Sequence, residues 1–123
     1  DLHSFPTRRS SDLFVTDFRE VKVRRGKLAE AAPEAMKALG SLKDSALKEG
    51  VLTLKTKELI ALMLAQATRC MPCIMTHAQN AIDAGVTREE VTEALEVAIL
   101  MGGGPAASYG GIVLEVYDQL KSK

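Results

Sequence analysis

The chain keeps both of its cysteines and one of its two histidines in a single stretch, Arg69-Cys70-Met71-Pro72-Cys73-Ile74-Met75-Thr76-His77. Pro72 suits the first position of a helix, where its missing N–H has no partner to lose and its fixed φ is already helical. Cys73 then falls in the first turn and Cys70 just before the cap. Free N–H groups and the positive end of the helix dipole favour a thiolate there. Residues three apart at a helix start can close a disulfide after small adjustments. His77 follows Cys73 by four residues and so lies one turn along on the same face. The stripe therefore offers two sulfurs that can exchange electrons and a base near one of them. Two blander readings compete. A zinc site needs about four ligands, commonly with a second Cys/His pair; no second pair exists here, so Cys70, Cys73, His77 and a carboxylate would have to serve a single ion. Inert burial of two small thiols is the third reading, and redox chemistry is favoured over both.

Glu58 is the next candidate. It lies twelve residues before Cys70, and its helical neighbours Leu54, Ala61 and Leu62 are apolar. A partly buried carboxyl suits proton transfer; the plainer reading is an acidic residue favouring a helix N-terminus. A capping box is excluded, because position 55 is Lys rather than Ser or Thr. A helical hairpin with its turn near Arg69 and Cys70 would bring Glu58 level with the span from His77 to Ala81. A relay from Glu58 through His77 to Cys73 then becomes feasible.

The elements that must hold these residues are all helical. Pro33 sits well at a first helical position with Glu34 in the first turn; Met36, Leu39, Leu42, Ala46 and Leu47 follow at helical spacing, and Gly50 is a plausible stop. Val51 to Lys55 reads as a connector and Thr56 to Thr68 as a helix. Its run Leu59 to Ala65 leaves no polar face, so it should be central and covered on several sides, which hints at an oligomer. A helix from Pro72 to about Ala84 stops at Gly85. Thr87 and Glu90 match a capping box for a helix carrying Val91, Ala94, Leu95, Ala98 and Ile99 on one side. Gly102-Gly103-Gly104-Pro105 should end it, with a last helix from Pro105 to Leu120. No strand precedes these glycines and no Lys-Ser/Thr follows, so they are no phosphate cradle. The lead-in from Phe14 to Arg25 carries too many charges to assign, and Gly26 to Ala32 reads as the start of a short helix. The expected architecture is all-α, a single domain over residues 14–123 of about five or six helices with a CxxC hairpin, oligomerising through apolar helices.

Composition agrees. Hydrophobic residues make up 46% of the 123 and aromatics 4%, so the core must be aliphatic side chains and methionine. The five methionines read as packing residues rather than copper ligands. Lys+Arg and Asp+Glu both count 16, which disfavours nucleic acid or an anionic membrane as partner. The longest apolar run, Leu59 to Ala65, is too short to span a bilayer. Two cysteines are too few for a secreted disulfide scaffold, and the default compartment is a reducing cytoplasm. The opening DLHSFPTRRSSDL, residues 1–13, lacks helical period and strand alternation and resembles the translated read-through of a sequencing adapter. It is treated as a non-native leader and set aside with His3.

Glu58, eleven intervening residues, then Cys70-x-x-Cys73-x-x-x-His77 resembles the alkylhydroperoxidase D-like branch of the carboxymuconolactone decarboxylase family. The span Lys55 to Gly110 looks like that family's core, Gly-Gly-Gly-Pro included. The resemblance implies an all-helical subunit assembling into trimers or hexamers, with thiol peroxidase or disulfide reductase activity and no cofactor. It implies that Cys73 attacks a hydroperoxide, Cys70 resolves the sulfenic acid as a disulfide, and Glu58 with His77 relays protons. A dithiol, such as a lipoyl group on a carrier protein or a thioredoxin-like protein, would restore the thiols. Met71-Pro72 stands where some members carry another His. The decarboxylase branch converts a lactone acid without a cysteine pair, so the pair argues against that chemistry. A non-enzymatic redox sensor or interaction module is the other alternative.

Overall fold

The computed structural model describes residues 13–123; the leader proposed for residues 1–13, Leu13 apart, lies outside them. Five helices follow one another: α1 Leu13–Ala31, α2 Pro33–Leu47, α3 Leu54–Ala67, α4 Met71–Asp83 and α5 Arg88–Lys121. The described residues contain no strand. Leu62, Ile74, Ala78, Ala81, Val91, Val113 and Val116 are fully buried where α3, α4 and α5 meet, so these three helices make the core that positions the candidate site.

The lead-in proves to be structured. Phe14, Val15, Phe18 and Val21 are buried at helical spacing on α1, while the intervening charges stay outside and Lys22 lies 4.5 Å from the centroid of the Phe18 ring. The Phe14 N–H donates to Gln119 Oε1 at 2.8 Å, tying the start of α1 to the end of α5. The helix expected to begin at Gly26 is the continuation of α1. Pro33 does open α2, yet α2 buries no residue, and Leu42 is 64% exposed.

Thr53 caps α3 by accepting the Thr56 N–H at 3.1 Å, so the helix starts at Leu54, two residues earlier than read from the sequence. Lys57 donates to the carbonyls of Ala46 and Lys48, satisfying the end of α2. The all-apolar run on α3 is covered on one side only. Leu62 is buried, whereas Ile60 and Leu64 are 45% and 61% exposed. Two helices close with the same device. Behind α3 the Arg69 N–H donates to Gln66 O and the Cys70 N–H to Ala65 O; behind α4 the Gly85 N–H donates to Ile82 O and the Val86 N–H to Ala81 O. Each pair is a Schellman motif, whose penultimate residue must take positive φ. Gly85 does so at 87° and Arg69 at 56°.

On α5 the capping box forms as read: Thr87 Oγ1 accepts the Glu90 N–H at 3.1 Å, and Glu90 Oε1 accepts the Thr87 N–H at 2.8 Å. The Thr87 N–H, helped by Lys55 at 2.9 Å, holds the Glu90 carboxyl below its ordinary value. A folded-state pKa lowered in this way stabilises at pH above the unfolded value, and the contribution is lost as pH falls through the folded one. Thr87→Ala removes one side of the box and should cost about 1 kcal/mol. Thermal unfolding should register this as a midpoint lower by roughly 3–5 °C; an unmoved midpoint would show that the box does not limit stability.

The helix end expected at Gly102 to Pro105, with a new helix from Pro105, is found as a kink at Gly103 that joins two helical segments within α5. Gly103 takes φ 64° and ψ −142°, and the helix resumes at once. Glycine alone adopts that conformation readily, and it lets Pro105 restart the turn. Among the described residues α5 is also long and apolar enough to cross a membrane by length and composition, which the count of consecutive apolar residues did not reveal. The break divides it, and its Leu95, Val113, Val116 and Leu120 are buried in the core. Tyr117 is buried too and donates to Val86 O at 2.8 Å, locking α5 to the α4–α5 turn.

Candidate active site

The α3–α4 hairpin carries all four sequence-derived candidates. Cys70 is itself the N-cap of α4 rather than the residue before it, Met71 is the first helical residue and Pro72 the second. The Cys73 N–H, one of the orphan donors of the first turn, donates to Cys70 Sγ at 3.3 Å. The two sulfurs are joined, S–S 2.06 Å with Cα atoms 5.2 Å apart. Both residues are half-buried, and Cys73 packs against the core. A sulfur at the N-cap lies at the positive end of the helix dipole, where an anion is stabilised.

Glu58 projects from the first turns of α3 towards α4. It is 3% exposed, and its Oε2 lies 2.8 Å from Nδ1 of His77, whose side chain is 24% exposed. A buried carboxylate needs a partner, and His77 supplies it. The tautomer with the proton on Nδ1 donates it to Glu58 Oε2 and leaves Nε2 as an acceptor. His77 sits four residues after Cys73 on α4, the spacing that puts side chains on one face. No hydrogen bond joins His77 to Cys73 in the disulfide state among the described residues, so their link rests on that shared face. The structure thus pairs Cys70 with Cys73 and Glu58 with His77, one turn apart. No group of three or more His, Cys, Asp and Glu among the described residues is arranged to hold a metal.

Two residues near the turn escaped the sequence reading. Gln66 is buried on α3 and donates from Nε2 to Ala106 O at 2.8 Å, fixing the end of α3 against the stretch of α5 just past the Gly103 break. Arg69, directly before Cys70, holds its guanidinium 5.9 Å from the centroid of the Tyr109 ring. Its signal was available: it stands just beyond the end of a helix, where glycine is the usual residue.

The crystal structure of a carboxymuconolactone decarboxylase family protein from Legionella pneumophila, in its apo form, matches with a TM-score of 0.87 and 38% identity, over 89% of this chain and 98% of that one. A second crystal structure, of a Thermotoga maritima protein, matches with a TM-score of 0.75 and 27% identity, over 90% and 95% of the two chains. An uncharacterised protein of Cupriavidus necator is 36% identical over 107 residues, 87% of this chain and 95% of that one. The sequence profile of the carboxymuconolactone decarboxylase family matches residues 33–115, a span that takes in α2, the whole hairpin and most of α5. On that span and those likenesses, the chain belongs to the carboxymuconolactone decarboxylase family.

Proposed function

We propose that the protein is a thiol-dependent oxidoreductase of the alkylhydroperoxidase D-like type, reducing peroxides, or disulfides, through a Cys70/Cys73 dithiol–disulfide cycle. One observation carries the reading: a closed Cys70–Cys73 pair at the N-terminus of α4, one turn from a hydrogen-bonded Glu58–His77 pair. In the reduced form, the Cys73 thiolate attacks the terminal peroxide oxygen. A sulfur–oxygen bond forms, the O–O bond breaks, and the alkoxide leaves with a proton relayed through His77 and Glu58. Cys73 is then a sulfenic acid. The Cys70 sulfur displaces its oxygen as water, which closes the disulfide and prevents overoxidation. A dithiol donor, a lipoyl group on a carrier protein or a thioredoxin-like protein, returns two electrons and two protons by thiol–disulfide exchange.

A cytoplasmic setting suits this cycle, because a reducing pool is needed to reopen the pair. The exposed Leu39 and Leu42 of α2 and Leu100 of α5 are surfaces that a second copy would cover. We therefore propose a homo-trimer or homo-hexamer, and sedimentation at a monomer's mass would remove that part of the reading.

The test is thiol titration of reduced protein with and without an alkyl hydroperoxide. Loss of two thiols per chain, followed by steady turnover once a dithiol is supplied, is the expected result. Stoichiometric thiol loss that changes only the assembly size would make the protein a redox switch. Conversion of a lactone acid that survives Cys70→Ser and Cys73→Ser would make it a decarboxylase-type enzyme acting through Glu58 and His77.

A further inference from the structure

Between α3 and α5 runs an apolar groove of about 700 Å³, inside the range of small-molecule sites, roughly 300–1,000 Å³. Leu59, Met63 and Leu64 form one wall and Val97, Ala98 and Met101 the other. The groove follows α3 from Thr56 to Ala67, a helical rise of about 16 Å, and reaches Arg69 just beyond the helix end. Among the described residues Arg69 is the only charged one lining it, and it directly precedes Cys70, which is itself outside the lining.

That arginine is held in an unfavourable backbone state. It occupies the left-handed position of the motif closing α3, where the equivalent position behind α4 is Gly85. A residue with a side chain costs about 1–2 kcal/mol there. Among the described residues its side chain has one partner, the Tyr109 ring, and no carboxylate within ion-pair distance. Glycine would close α3 at lower cost, so the strained arginine points to a role for the cation beyond the turn itself. A long apolar trough with a single positive end is complementary to an aliphatic chain with a single negative end.

We propose that this groove binds a linear aliphatic carboxylic acid, its chain between α3 and α5 and its carboxylate on Arg69, and that the corresponding peroxy acids are the substrate class delivered to Cys73. The second clause rests on Cys73 being the nucleophile; the first does not. In the reaction, the Cys73 thiolate forms a bond to the terminal oxygen of the peroxy acid. The O–O bond breaks and its electron pair leaves on the carboxylate, which Arg69 receives in fork geometry. The hydroxyl stays on sulfur as the sulfenic acid and departs as water when the Cys70 sulfur closes the disulfide. The sulfur pair has then lost two electrons and the peroxy acid has gained them. Arg69 meets charge that develops only as the O–O bond breaks, so it favours the transition state over the neutral peroxide.

The test uses decanoate, which cannot react, and decan-1-ol as its uncharged counterpart, both titrated calorimetrically into the full-length disulfide form. Decanoate should bind wild type at least about tenfold more tightly than Arg69→Gly, with decanol equal in the two proteins. Arg69→Gly should melt no lower than wild type, because glycine accepts the left-handed position, so weak binding cannot be blamed on misfolding. Leu64→Glu, on the exposed wall, should lose both probes. Equal decanoate affinity in wild type and Arg69→Gly, or no uptake of either probe because a second copy fills the groove, overturns the site. Since neither probe carries a peroxide, failure here leaves the thiol cycle standing, and a protein inactive on every peroxide can still pass this binding test.

Discussion

Cys73→Ser should abolish peroxide turnover, with kcat/KM at least about a thousandfold below wild type under every dithiol donor. The reason is chemical rather than structural. A serine hydroxyl fits the same half-buried place in the first turn of α4 and keeps the backbone N–H that donates to Cys70 Sγ, but it is not ionised at neutral pH and does not attack a peroxide oxygen. Cys70→Ser should behave differently. Its Cys73 can still react once, so the mutant consumes one equivalent of peroxide and then stops as a sulfenic acid. A carbon nucleophile that traps sulfenic acids should label Cys73 in that mutant and nothing in Cys73→Ser, as mass spectrometry of the peptides would show. The stability cost is small in either case, because a ring closed over three residues restrains the unfolded chain by only about 2 kcal/mol. Unchanged turnover in Cys73→Ser would take the nucleophile's role away from that residue.

Much of the hairpin was legible because its signals are local. Pro72 and Gly85 bound α4 within a residue, and the register of two antiparallel helices about a turn at Arg69 anticipated the level at which Glu58 meets His77. The same local logic missed α1, whose buried stripe of Phe14, Phe18 and Val21 is interleaved with charges. Only the distant contact with Gln119 and the core explains why that stretch is ordered. The kink in α5 was legible as well: Gly-Gly-Gly-Pro ends one helical segment, Pro105 opens the next, and Gly103 breaks the helix between them. The bond from Gln66 to Ala106 O ties the second segment to α3 just past the kink, and no propensity contains that contact. Cys70 as the cap, and Arg69 in a glycine position, depend on how the α3–α4 turn closes. Periodicity cannot see how a connection of three residues, Thr68 to Cys70, closes.

Glu58 carries the second large effect, because its burial and its pairing with His77 can be separated by two substitutions. Glu58→Gln keeps the shape and an oxygen for the His77 Nδ1–H, so the fold should hold, while the carboxylate that the proposed proton relay relies on is gone. Turnover of an alkyl hydroperoxide should fall by about a hundredfold, the scale of one positioned acid–base group, with Cys73 still able to form a disulfide slowly. Glu58→Ala goes further. It empties a site only 3% exposed and leaves the His77 nitrogen without its 2.8 Å partner, which should cost about 2–3 kcal/mol of stability in addition to activity. Steady-state kinetics beside denaturant unfolding separates the two. A glutamine variant that is stable but slow places the carboxylate in the chemistry, whereas a fully active one confines the Glu58–His77 pair to holding α3 against α4. Because the two helices share this contact and the disulfide lies one turn away, the same measurement also decides whether the hairpin is built around the reaction or merely around its own packing.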